Sequence, residues 1–128
     1  MQRIGGVLQL SASDLVGHQN CRHLTSLDCA VANGSLQKPK IWDPLLEILW
    51  ERGSIHERNY VEHLKRAGYQ VVEIEGVGID QAKVAQTIRA MHAGTEIIVQ
   101  AAFLDRKWSG RTDILRRVNT PSRLGNWS

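Results

Sequence analysis

Ile97-Ile-Val-Gln-Ala-Ala-Phe-Leu104, followed by Trp108-Ser-Gly-Arg-Thr-Asp-Ile-Leu-Arg-Arg-Val118, is the stretch on which the fold turns. The first run is short and almost wholly apolar, which reads as a buried strand. The second has moderate strand propensity but carries Asp113 in its middle, and an acid inside a strand is disfavoured unless something holds it. With the tight Asp105-Arg-Lys107 turn between them, the two runs are expected to form a hairpin of strands at about 96–104 and 108–118. Alternation along the second strand puts Arg111, Asp113, Leu115 and Arg117 on one face and Thr112, Ile114, Arg116 and Val118 on the other. A carboxylate on a sheet face is costly to bury unpaired. Two solutions are open: a salt bridge to Arg111 or Arg117, or a divalent cation, for which carboxylate oxygens are natural ligands.

Working outward, the chain reads as α, α, α, β, α, β, β. Met1–Leu10 is a strand or an ordering arm, and Ser11 or Ser13 caps a helix starting near Asp14. That helix is expected to break at Asn20, which can cap a second one reaching Asn33-Gly34. There Cys21, Leu24, Leu27 and Val31 share a face, so Cys21 is expected to point inward. Ser35–Lys40 is a loop. Asp43-Pro44, a capping acid followed by proline, starts the longest helix, and Gly68 ends it after about Ala67. Tyr69–Glu75 alternates like a strand, Gly76-Val-Gly78 turns, and Asp80 caps a helix ending near Met91 before Gly94. Residues 120–128 read as loop. At 128 residues the chain is expected to be one α/β domain with a single core.

The net charge of +3 conceals a split. Residues 106–128 hold six basic residues against the single acid Asp113, while residues 1–105 hold ten basic and twelve acidic ones. A basic end on a nearly neutral body is what a polyphosphate would attract, although arginines also keep an exposed strand edge soluble. No apolar run is long enough to span a membrane and no secretory signal opens the chain. Two cysteines, Cys21 and Cys29, in that context read as reduced thiols of a cytoplasmic protein.

In the long helix, Leu46, Leu49, Trp50, Gly53, His56, Glu57, Tyr60, Val61 and Leu64 fall within one arc at 100° per residue, the expected core face. Gly53 costs that helix about 1 kcal/mol relative to alanine, which is easier to explain if a backbone or ligand comes close. His56 is then either a core histidine satisfied by one hydrogen bond or a ligand. A His-Glu-x-x-His zinc motif is excluded, because position 60 is Tyr60.

Four stretches, SASDLVGHQNCRHL, the helix from Trp42 to Gly76, VAQTIRAMHAGTEIIVQAAFLD and WSGRTDILRRV, together resemble the N-terminal part of RecB-like nucleases of the PD-(D/E)XK superfamily. The likeness is to a bacterial group often fused to a helicase. It covers nearly the whole chain and rests on the order and spacing of the motifs rather than on any one. It implies a partial restriction-endonuclease-like mixed sheet following N-terminal helices. It also implies His56, preceded by Gly53, and Asp113 as ligands of Mg²⁺ or Mn²⁺, with Glu57 as a partner of His56. A DNA phosphodiester would be the substrate, hydrolysed by a metal-activated water, with Arg111, Arg116 and Arg117 as candidate phosphate contacts. Some members carry an iron–sulfur cluster whose first cysteine Cys21 would match; a structural thiol is the competing reading of Cys21.

One departure matters. In the family the next strand brings Asp/Glu-x-Lys, supplying a third ligand and a catalytic lysine. No such tripeptide follows Asp113, and the last lysine is Lys107. The expectation is therefore an incomplete nuclease domain over residues 1–128. It would be inactive alone, completed by a downstream polypeptide or helicase partner, and left with an exposed strand edge that favours self-association. The competing reading from another class is a non-catalytic module binding nucleic acid or protein, or the relic of a truncated gene.

Overall fold

Asp43 and Pro44 start the longest helix as their chemistry requires. The Asp43 side chain accepts from the Leu45 amide at 2.9 Å, and Pro44 occupies the first helical position, where no donor is lost. The computed structural model describes residues 1–4, 6–40, 42–120 and 123. Apart from Thr120 and Arg123, the expected C-terminal loop lies outside the described residues. The chain is mixed α/β, in the order β1 (Gln2–Ile4), β2 (Val7–Gln9), α1 (Ala12–Asn20), α2 (Arg22–Ala32), α3 (Pro44–Arg66), β3 (Val71–Glu73), α4 (Gln81–His92), β4 (Ile97–Asp105) and β5 (Trp108–Arg116). It divides into two compact units, one of residues 1–42 and 103–110, the other of residues 43–102 and 111–128.

In the first unit β1 and β2 pair antiparallel, Gln2 with Gln9 and Arg3 with Leu8. The expected single strand or arm is thus a hairpin, turned where Gly6 takes a φ of +80°. Leu10 continues from it in a parallel bridge to Trp108, its amide donating to the Lys107 carbonyl at 2.7 Å. Ser11 caps α1 in a reciprocal box: the Ser11 amide donates to Asp14 Oδ2 at 2.7 Å and Ser11 Oγ accepts from the Asp14 amide. Two expectations are corrected here. Asn20 belongs to α1, so the cap of α2 falls to Cys21, whose extended backbone (φ −154°) forms the corner and whose side chain makes no capping bond. Cys21 is accordingly exposed, not inward-facing.

β3, β4 and β5 form one sheet in that order, of which β3, residues 97–102 of β4 and residues 111–116 of β5 belong to the second unit. Val71, Val72 and Glu73 pair in parallel with Ile97, Ile98 and Val99. β5 returns beside β4 through the two-residue turn Arg106-Lys107, with Arg106 at a φ of 51° as hairpin twist favours. One side of the sheet packs Ile97 and Val99 against Val61 and Leu64 of α3, with Tyr69, Val71 and Ile114 around them. The other packs Ile98 and Ala101 against Ala90 of α4, with Ile74, Val72 and Leu115. Burying each large side chain of this kind contributes about 1.5–3 kcal/mol.

The α3 face predicted to be core is buried only in its C-terminal part. Val61 and Leu64 are 5% exposed each, whereas Leu46, Leu49 and Trp50 are 44%, 53% and 71% exposed. Length accounts for this. A helix of 23 residues is about 35 Å long, while the six residues of β4 in this unit span about 20 Å, too little sheet to underlie it all. Among the described residues no helix is long and apolar enough to cross a membrane.

Candidate functional site

The helix and the strand that carry His56 and Asp113 meet at one groove. It has a volume of about 350 Å³ and is lined by Gly53, His56, Glu57 and Tyr60 from α3 and by Asp113 and Ile114 from β5. His56 and Asp113 are exposed, and Glu57 is half-buried. His56 is thus not the enclosed core histidine that the helical arc allowed. A Cβ at Gly53 would meet nothing within 4 Å. No backbone presses on that glycine, and its missing side chain leaves open room in the wall of the groove.

Glu57 is held by Gln100, whose Nε2 donates to Glu57 Oε1 at 2.6 Å. Gln100 is the one polar residue in the apolar run of β4, and it sits at a φ of 55°, a left-handed conformation uncommon outside glycine. The consequence can be followed along the strand. Ile97 and Val99 face α3 and Ile98 faces α4, as alternation demands. Gln100 then reaches α3 as well, and Ala101 is packed on the α4 side. Two consecutive side chains share a face, the signature of a bulge. The Ala102 amide next to it donates to the buried hydroxyl of Thr87 on α4 at 3.0 Å, and that hydroxyl donates to the Lys83 carbonyl. A displaced backbone donor is thereby satisfied inside the core.

Of the two solutions open for Asp113, the salt bridge is not taken: among the described residues it makes no ion pair. The arginines in its alternation set have other partners. All five N–H groups of Arg111 point at main-chain carbonyls. Nε donates to Gln100 at 3.3 Å, Nη2 to Gln100 at 3.1 Å and Ile74 at 2.8 Å, and Nη1 to Gly76 and to Gly78 at 3.4 Å. The guanidinium clips the loop after β3 to the hairpin, so a phosphate could reach it only by displacing those carbonyls. Arg117 Nη1 donates to the Gly94 carbonyl at 3.2 Å, on the α4 side. Arg116 lies over the Tyr69 ring, 5.3 Å from its centroid, and donates to the Tyr69 hydroxyl at 3.2 Å. Arg116 and Arg117 therefore leave the strand on opposite faces, as alternation predicts.

The groove is lined by one imidazole, His56, and two carboxylates, Asp113 and the Gln100-bonded Glu57, and no group of three or more His, Cys, Asp or Glu side chains able to hold a metal occurs among the described residues. Mg²⁺ prefers six oxygen ligands and keeps waters where protein ligands are few. The carboxylates are the kind of donor such a cation prefers, the His56 imidazole is not, and the set is too small for a complete site. For an iron–sulfur cluster, usually held by four thiolates, the chain supplies the exposed Cys21 and the half-buried Cys29, whose Sγ lies 3.3 Å from Met1 Sδ. Gln100 and Tyr69 were not singled out from the sequence, and Tyr60, expected on the core face of the long helix, is 45% exposed and lines the groove. A lone polar residue inside Ile97–Leu104 was the available signal for Gln100; Tyr69 gave none. Compared with known proteins, the chain matches no family model, no curated protein and no solved structure.

Proposed function

We propose that these 128 residues are the front part of a metal-dependent DNA nuclease of the RecB-like, PD-(D/E)XK type. The sheet of β3, β4 and β5 would be part of a restriction-endonuclease-like core. One observation carries the reading: His56 from α3 and Asp113 from β5, the two residues that the sequence resemblance selects, line a single groove. In this reading His56 and Asp113 hold Mg²⁺ or Mn²⁺, and Glu57, fixed by Gln100, borders the same space. The cation's role in such chemistry is to polarise a phosphodiester and acidify a bound water.

No Asp/Glu-x-Lys follows Asp113 to supply a third ligand and a lysine, so we expect weak cation binding and no turnover by this polypeptide alone. Calorimetric or paramagnetic titration with Mn²⁺ tests this. The wild type should bind weakly, His56→Ala and Asp113→Ala should abolish binding, and single- and double-stranded DNA should survive incubation with protein and Mn²⁺. Robust cleavage lost in Asp113→Ala would show that two ligands suffice, and unchanged Mn²⁺ binding in both variants would remove the site. The second reading, a non-catalytic nucleic-acid-binding module, is favoured by the lack, among the described residues, of any group of three or more side chains able to hold a metal. It predicts DNA binding indifferent to Mn²⁺ and to both substitutions.

A further inference from the structure

The proposed nuclease reading leaves open which arginine would hold the phosphate backbone beside the His56–Asp113 groove, and the three candidates stand in different surroundings. Arg111 has every donor engaged by a carbonyl, four residues' carbonyls in all. Arg117 faces the end of α4, bonded to Gly94, while its strand neighbour Leu115 packs with Ala90 and Ile98 on that same side. Arg116 lies on the α3 side. Its aromatic partner Tyr69 packs with Ile114, Val61 and Leu64, and Ile114 also lines the groove of His56 and Asp113.

Arg116 is exposed, and its hydrogen bond to Tyr69 uses one of its five N–H groups. The Tyr69 ring beneath the guanidinium holds it by cation–π attraction, which orients the planar fork without competing for the remaining donors. Beside it a second groove, of about 240 Å³, is lined by Tyr69, Glu96, Arg116, Arg117 and Asn119. The acid among these, Glu96, has Oε2 bonded to the Gln70 amide at 2.8 Å. Two residues along β5 separate Ile114, in the wall of the His56–Asp113 groove, from Arg116 on the same face of the strand, about 7 Å.

We infer that Arg116, oriented by Tyr69, is the phosphate-binding residue of this face, gripping a nucleic-acid backbone next to the groove of His56 and Asp113, and that Arg111 and Arg117 are not. This rests on the nuclease reading for its substrate, and it is tested without turnover. A short fluorescently labelled DNA oligonucleotide, single-stranded and then duplex, is titrated with the full chain in the presence of a chelator, over a series of salt concentrations.

Arg116→Ala is expected to weaken binding by roughly fivefold and to reduce the salt slope by about one. Arg116→Lys should keep most of the slope while losing affinity, because a point charge replaces the fork. Tyr69→Phe should fall between wild type and Arg116→Ala. Arg117→Ala should change affinity by less than about twofold. A loss in Arg117→Ala equal to or larger than that in Arg116→Ala overturns the inference, as does a wild type that does not bind either oligonucleotide. Mn²⁺ titration of the same variants separates this from the nuclease reading. Arg116-dependent DNA binding with no Mn²⁺ bound at His56 and Asp113 removes the metal site and leaves the arginine contact. Intact Mn²⁺ binding with no role for Arg116 does the reverse.

Discussion

The two ends of α3 obey the same apolar rhythm and have different fates. From Glu57 onward the helix is seated: Glu57 is bonded to Gln100, and Val61 and Leu64 close over Ile97 and Val99. Before Gly53 it carries Leu45, Leu46, Ile48, Leu49 and Trp50, between 44% and 71% exposed. Periodicity reports that a face is apolar and is silent about how much sheet exists to receive it. Gly53 and His56 fall at the border, and so does the groove. A site at the edge of packing has side chains positioned by a rigid half and reachable from solvent on the other.

The sharpest way to break this contrast is truncation on both sides of the border. Leu64→Ala should cost about 2–5 kcal/mol of unfolding free energy in urea titrations, and Leu46→Ala within about 0.5 kcal/mol; comparable losses would mean that the N-terminal half is packed after all. Next in size is Gln100→Val. A β-branched residue at a φ of 55° is strained and loses the bond to Glu57, so a destabilisation of about 2 kcal/mol is expected. A neutral result would remove the bulge as the fixture of the seated half.

Gly53→Ala works in the opposite direction. Its Cβ meets nothing within 4 Å, so the variant should be more stable by about 0.5–1 kcal/mol in thermal melts. Destabilisation would reveal a neighbour at the border. The smallest effect serves as a control away from α3. The hydrogen bond from Lys83 to Asp80, the cap of α4, holds the Asp80 carboxyl below its usual value of 3.8. A depressed carboxylate stabilises the fold above its unfolded-state pKa, and that contribution fades as pH falls below 3.8 through the lower folded value. Asp80→Asn should lower the melting temperature slightly near neutral pH and not at low pH, which flattens this acid limb.

Much of the fold was legible because its signals are local. Asp43-Pro44, Gly68, Asp80 and the turn at Arg106-Lys107 act through their own backbone, and each marks an element where expected. His56 follows from helical spacing, but Asp113 belongs to the alternation set of Leu115 and Arg117, which face α4, so regular spacing alone does not bring it to the groove that it lines beside Ile114. The misreadings share another cause. Cys21 was assigned to a buried face from its spacing with Leu24 and Leu27, but α2 has no buried residue and Cys21 is its corner. The bulge at Gln100 carries no glycine to mark its positive φ, and a single polar letter in an apolar run was its one trace in the sequence. Arg111 binds carbonyls, which every residue carries, and its destination is invisible in a list of side chains.

That last contact governs how the edge of the sheet can come apart. β3 has three residues, too few to hold an edge strand by its own ladder. The Arg111 guanidinium ties the carbonyls of Ile74, Gly76 and Gly78, just past its end, to Gln100 in the middle of the sheet. Peeling β3 away therefore requires unhooking a cation from the neighbouring hairpin, so the rim and the centre should exchange their amide protons as one cooperative unit instead of fraying residue by residue.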